Sequence, residues 1–125
     1  MERLRGPLIS VVDDDISVRE ALPALLQAFG HEVATFSSAE GFLEAAEMSG
    51  TRCLLLDVKM EGMSGQALYL ELRRLGRHIP VVFITANHDE VLRTRLLKQG
   101  AIDCLFKPFS DDALELAVAR ALAGS

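Results

Sequence analysis

The stretch Cys53-Leu54-Leu55-Leu56-Asp57 constrains the fold more than any other part of the chain. Its apolar run, with Gly50 before it and Gly62 after it, fits a strand buried on both faces. An ionised carboxylate left unpaired in such an interior is too costly, so Asp57 must emerge at the sheet edge or meet a cation. In open α/β sheets the ligand crevice lies outside the carboxyl ends of the strands, and Asp57 ends this one. Taken alone, it could equally be an aspartate that merely opens the next loop.

The rest of the chain supplies the sheet. Leu8-Ile9-Ser10-Val11-Val12 reads as a first buried strand, followed by Asp13-Asp14-Asp15. A helix then begins near Ile16 or Ser17, with Val18, Ala21, Leu22, Leu25, Leu26 and Phe29 at helical spacing and Gly30 as its stop. Pro23 falls inside it and predicts a bend. Residues 32–36 read as a second strand. Ser37 with Glu40 three residues later reads as a capping box for a helix over 39–48. After Asp57 comes the loop Met60-Glu61-Gly62-Met63, then a helix opening near Ser64 with a stripe of Leu68, Leu72 and Leu75. A fourth strand spans 80–85, a helix 89–99, and a fifth strand lies within 101–106. Ser110 caps a last helix that carries Leu114, Ala117, Val118 and Ala121 on one face. Five repeats of strand then helix, with short joints, predict one α/β domain over residues 1–125: a parallel sheet flanked by five helices.

Composition narrows the class of function. A chain of 125 residues has room for one core. The formal charge of −5, with no basic stripe, argues against direct nucleic-acid contact. No apolar stretch has the length of a signal peptide or a membrane span. Cys53 and Cys104 both fall in apolar segments, so the expected location is the cytoplasm, with reduced thiols.

Polar residues gather at the predicted strand ends: Asp13, Asp14 and Asp15 after the first, Asp57 on the third, Thr85 on the fourth and Lys107 after the fifth. If the first and third strands pair, their acids converge. Two carboxylates about 5 Å apart, at an effective dielectric of about 20, repel by roughly 3 kcal/mol. A cation or a proton must offset that, and hard oxygen ligands with room for water suit Mg²⁺. Carboxylates also serve as phosphoryl acceptors. Acid, metal, hydroxyl and ammonium together form a site for receiving a phosphoryl group. Individually each has a plainer role: a helix cap for Asp14, a backbone-bonded hydroxyl for Thr85, a solvated charge for Lys107. The conjunction favours the site.

These residues resemble the receiver domain of bacterial two-component response regulators, over essentially the whole chain. The resemblance rests on Val11-Val12-Asp13-Asp14-Asp15, Leu55-Leu56-Asp57-Val58-Lys59-Met60, Ile84-Thr85-Ala86 and Lys107-Pro108-Phe109. It implies a doubly wound, flavodoxin-like sheet of order 2-1-3-4-5. It also implies that Asp57 accepts a phosphoryl group from a histidine kinase. Asp14, Asp57 and the Lys59 backbone carbonyl would hold Mg²⁺, and Asp13 would do so through water. Thr85 and Lys107 would bind phosphoryl oxygens, small Ala86 would leave its amide near them, and the Lys107–Pro108 bond would be cis.

The chain departs from the family pattern in several places. Cys104 stands where receivers carry an aromatic that swings inward on activation, and it reads as a buried filler rather than a redox centre. Glu61 replaces a usual proline, which predicts a more mobile loop, and Pro23 is unusual in the first helix. Lys59 and Asn87, two residues past Asp57 and Thr85, are predicted to tune the lifetime of the phosphorylated state.

Two other readings fare worse. A flavodoxin-type binder would have its cofactor phosphate repelled by Asp13, Asp14 and Asp15. A haloacid-dehalogenase-like phosphatase needs a second acid where Lys59 stands. The expected protein is therefore a switch rather than an enzyme, with no output domain in these residues. It would control transcription through a DNA-binding domain elsewhere; a stand-alone docking receiver or a degenerate, unphosphorylated one is the alternative. The expected working surface, and the route to a homodimer, is the fourth predicted helix (89–99), the fifth strand and the last helix. Leu116, Ala113, Arg93, Arg95 and Lys98 lie off the core there.

Overall fold

The computed structural model describes residues 6–124; the charged opening at residues 1–5 lies outside them. Five strands, β1 (Leu8–Val12), β2 (Glu32–Phe36), β3 (Thr51–Asp57), β4 (Val81–Thr85) and β5 (Asp103–Phe106), pair in parallel in the order β2-β1-β3-β4-β5. Helices α1 (Ile16–Ala28), α2 (Ala39–Glu44), α3 (Glu47–Gly50), α4 (Gly65–Arg74), α5 (Glu90–Lys98) and α6 (Asp111–Ala123) cover both faces. The doubly wound, flavodoxin-like architecture and its strand order are as the sequence implied.

The apolar run of β3 shows why both faces are covered. Alternate side chains point to opposite sides of a strand. Leu54 and Leu56 enter a core with Phe42, Leu68, Tyr69, Leu72 and Leu96, from α2, α4 and α5. Cys53 and Leu55 enter the other, with Leu22, Leu26, Leu114, Ala117 and Val118 from α1 and α6.

Six helices stand where five were expected, because the second predicted helix is broken. Ala45 adopts φ −85° and ψ 146°, an extended conformation, and ends α2. The short α3 is held to the sheet by a buried chain of hydroxyls. Thr51 Oγ1 donates to the Glu47 carbonyl at 2.8 Å and receives Ser10 Oγ at 2.7 Å. The cap of α2 is also one residue from its expected place: Ser38, not Ser37, accepts the Gly41 amide at 3.0 Å. Ser64 and Ser110 cap α4 and α6 as expected. The α1 helix runs unbroken through Pro23, and Ala21 and Leu75, expected in the core, are exposed. Ala113 is half-buried against the α1/α6 core rather than off it, whereas Leu116 is exposed.

Candidate phosphoacceptor and metal site

Strand register assembles the site. Val12 lies beside Leu56, so Asp13 and Asp57 follow on neighbouring strands. Asp57 pairs with Ile84, which puts Thr85 one step further along β4. Thr85 pairs with Phe106, and Lys107 is the next residue of that strand's exit. The Lys107 amide donates to the Thr85 carbonyl at 2.8 Å, which locks the last two members together, and the Lys107–Pro108 bond is cis. Asp14, Asp15, Asp57, Lys59, Thr85, Ala86, Asn87 and Lys107 line one open cavity of about 400 Å³. Every residue singled out there from the sequence is thus present, with two qualifications. Asp13 lies fully buried beneath the cavity, and Cys104 is buried on the α5 side of the sheet, away from it.

One carboxylate oxygen from each of Asp13, Asp14 and Asp57 lies within 4.8 Å of the others. Asp13 and Asp57 are buried and Asp14 is exposed. Two devices inside the protein offset their repulsion. Lys107 Nζ sits 2.9 Å from Asp13 Oδ2, pairing the fully buried acid. The Asp57 carboxyl is pushed up to about 7, first by burial and then by the Asp13 charge, against the lowering pull of Lys107. A cluster of hard oxygens that needs both a proton and an ammonium has the donor set and charge that suit a divalent cation such as Mg²⁺.

The loops are held from several sides. Asp15 caps α1, and Asp13 Oδ1 accepts the Asp15 amide at 2.9 Å, folding the acidic turn on itself. The Thr85 hydroxyl accepts the Asn87 amide at 3.0 Å, and its own proton stays available to a ligand in the cavity. Gly65 approaches β3 so closely that an added Cβ would lie 2.0 Å from the Asp57 carbonyl. Its amide donates to Val58 O at 2.9 Å and closes the loop that carries Lys59.

Three supporting residues were not legible as such in the sequence. Arg19 donates to the Asp13 carbonyl at 2.9 Å; no side-chain pattern in the sequence points to a backbone partner six residues back. His88 stacks on Phe106 with ring centroids 5.0 Å apart, and its Nε2–H donates to the Lys107 carbonyl at 2.8 Å. No local pattern announces that contact. Glu40, read as part of a capping box, instead accepts the Met63 amide at 3.0 Å.

With this geometry in place, comparison with known proteins is decisive. Residues 9–119 match the family described as response regulator receiver domain. The chain belongs to that family. Among relatives of this receiver domain, Nodulation protein W of Bradyrhizobium diazoefficiens is 44% identical over 114 residues, covering 91% of this chain and 50% of that protein. Response regulator protein TodT of Pseudomonas putida is 40% identical over 118 residues, covering 94% and 52%. The receiver domain therefore spans about half the length of the curated relatives it matches. Of solved structures, response regulator StyR superposes with a TM-score of 0.86 at 46% identity, over 94% of this chain and 60% of that one. FixJ-N superposes with a TM-score of 0.85 at 33% identity, over 98% of both chains. Among the described residues no helix is long and apolar enough to cross a membrane.

Proposed function

We propose that this receiver domain is a Mg²⁺-dependent phosphoacceptor switch, in which Asp57 takes a phosphoryl group from the phosphohistidine of a histidine kinase. The observation that carries the reading is the convergence of Asp13, Asp14 and Asp57 within 4.8 Å, with Lys107 already in contact with the cluster. In the transfer, an Asp57 carboxylate oxygen forms the new bond to phosphorus. The phosphorus–nitrogen bond breaks, and the imidazole keeps its electron pair. Asp14, Asp57 and the Lys59 carbonyl would hold the metal, and Asp13 would contribute through water. A bound Mg²⁺ supplies positive charge against the repulsion between carboxylate and phosphoryl group. Lys107, the Thr85 hydroxyl and the Ala86 amide take up phosphoryl oxygens, and the lysine must exchange its Asp13 partner to do so. Lys59 and Asn87, on the cavity wall, set how readily water reaches the acyl phosphate. The chain is then a switch that assists its own phosphorylation and dephosphorylation, rather than an enzyme acting on a separate substrate.

Its output is read from its relatives. Several are named transcriptional regulatory proteins, FixJ and TdiR among them, and this chain covers about half of each. Control of transcription through a DNA-binding portion fits that relation better than stand-alone docking. The output surface is α5, β5 and α6, where Val91 is 70% exposed beside Arg95 and Lys98 on α5, and Leu116 is 61% exposed on α6. Phosphorylation shifts a dimer equilibrium there only through unequal affinity for the two conformations. Incubation with Mg²⁺ and acetyl phosphate, followed by intact-mass and peptide mapping, tests the reading. A one-phosphoryl gain at Asp57, lost with Asp57→Asn, is expected; no gain would leave only a degenerate receiver. Sedimentation with and without beryllofluoride tests the dimer, and unchanged mass removes it.

A further inference from the structure

The loop from Val58 to Ser64 carries Lys59, whose carbonyl is a proposed metal ligand, yet it lacks the proline usual at Glu61. Something else must hold it. Its two ends are fixed by the Gly65–Val58 hydrogen bond, and the Met60 and Met63 side chains are half-buried against the α2/α4/α5 core. Between those anchors the backbone turns through Gly62 at φ +76°, and there the Glu40 carboxylate meets it. Glu40 Oε2 accepts the Met63 amide, and a Cβ added at Gly62 would lie 2.7 Å from that same oxygen. Glu40 is not needed to cap its own helix, because Ser38 does that. Its backbone sits on a fixed platform, since the neighbouring Ala39 and Phe42 are fully buried.

We infer that Glu40 is a positioning residue for the metal and phosphoacceptor site: its carboxylate clamps the loop after Asp57, so that the Lys59 carbonyl is presented without a proline. The inference rests on the proposed Mg²⁺ site. The clamped hydrogen bond is exposed to solvent, so its loss leaves the Met63 amide free to bond water and costs the fold little. What is lost is the fixed course of the loop. Groups that orient metal ligands from behind typically change metal affinity by roughly tenfold or more when removed.

The experiment compares the wild-type protein with Glu40→Ala, Glu40→Gln and Gly62→Ala by thermal unfolding, Met63 amide hydrogen exchange and Mg²⁺ titration followed by amide chemical shifts. Glu40→Ala is expected to keep the wild-type melting temperature, expose the Met63 amide to exchange and weaken Mg²⁺ binding by roughly tenfold. Glu40→Gln retains an acceptor oxygen without the charge and should bind Mg²⁺ nearly as the wild type does. Gly62→Ala should also push the carboxylate aside and weaken Mg²⁺ binding, but unlike Glu40→Ala it should lower the melting temperature, because an alanine is strained at φ +76°. In the Glu40→Ala background its added effect on Mg²⁺ affinity should shrink, because the two share one contact. Equal weakening in Glu40→Gln and Glu40→Ala would mean that the charge alone matters and would overturn the clamp. So would unchanged Met63 exchange in Glu40→Ala. Failure of the wild-type protein to bind Mg²⁺ is a separate result, and it would overturn the metal site together with this inference.

Discussion

Replacing Asp57 by Asn should make the protein more stable at alkaline pH, not less. The fold raises the Asp57 carboxyl from 3.8 to about 7, burial being the larger cause and the Asp13 charge the next. Between about pH 4 and 7, then, the folded protein holds a proton there that the unfolded chain has released, and stability falls as pH rises through that window. Each pH unit is worth about 1.4 kcal/mol, so the ionised carboxylate costs the fold up to about 4 kcal/mol above neutrality. Relaxation and entry of water around the charge trim this to about 2–4 kcal/mol. Asparagine has the same shape and never ionises.

Urea unfolding of both proteins in EDTA, at about pH 4.5 and about pH 8, isolates the Asp57 carboxyl together with its coupling to Asp13, Asp14 and Lys107, since groups elsewhere are common to the pair. The expected result is near-equal stability at the lower pH and an advantage of about 2–4 kcal/mol for Asp57→Asn at the higher. In a domain of this size that is roughly 10 °C in melting temperature. Saturating Mg²⁺ should narrow the gap, because a cation that binds the folded carboxylate stabilises the wild type by about 2.7 kcal/mol at a hundred times its dissociation constant. Parallel pH profiles, or a variant less stable than the wild type at about pH 8, would refute the reasoning.

Removing Lys107 acts in the opposite sense. Lys107→Ala leaves the fully buried Asp13 carboxylate without its ammonium, at a cost of about 3 kcal/mol by urea unfolding in EDTA. The same variant should bind Mg²⁺ more tightly in titration, since a competing cation has gone. Burial pushes the Cys53 thiol up to about 12 and the Cys104 thiol up to about 11. Neither should react with Ellman's reagent at neutral pH until the protein is unfolded, and fast reaction of the native protein would contradict the packing. Lys59→Ala should change the half-life of the phosphorylated protein, measured by loss of the phosphoryl mass. Phe83→Ala, which removes a fully buried ring packed edge-on to Tyr69 at 5.6 Å, should cost about 3–5 kcal/mol.

The sheet was legible because β3 is a short, unbroken apolar run between glycines within a repeating strand–helix pattern; that its residues serve two cores in alternation is seen only in the fold. The site was legible because in a parallel sheet all strands end on one side, so residues remote in sequence share a rim. What escaped depends on contacts between elements. Glu44, Ala45, Ala46 and Glu47 carry ordinary helix propensity, yet the helix breaks there and a Ser10–Thr51–Glu47 relay holds the following turn. Glu40 stands where a capping glutamate would, and only the approach of the Gly62 turn from another loop shows what its carboxylate does. Cys104 was rightly read as buried. That His88 stacks on Phe106 required the fold, because His88 lies in the loop after β4 and Phe106 ends β5.

The charge balance of the site has a consequence for how tightly it can hold a cation. Three acids within 4.8 Å would bind a divalent ion strongly if nothing else neutralised them. Here a proton on Asp57 and the Lys107 ammonium on Asp13 already do so, and both compete with the incoming ion. Affinity is therefore set by a difference between two compensated states, not by the number of carboxylates. It must weaken as pH falls below about 7, where Asp57 holds its proton. For a switch this is useful chemistry. In the proposed switch, an acid raised toward neutrality and a lysine paired with a buried partner would both be free to be reassigned when a phosphoryl group arrives.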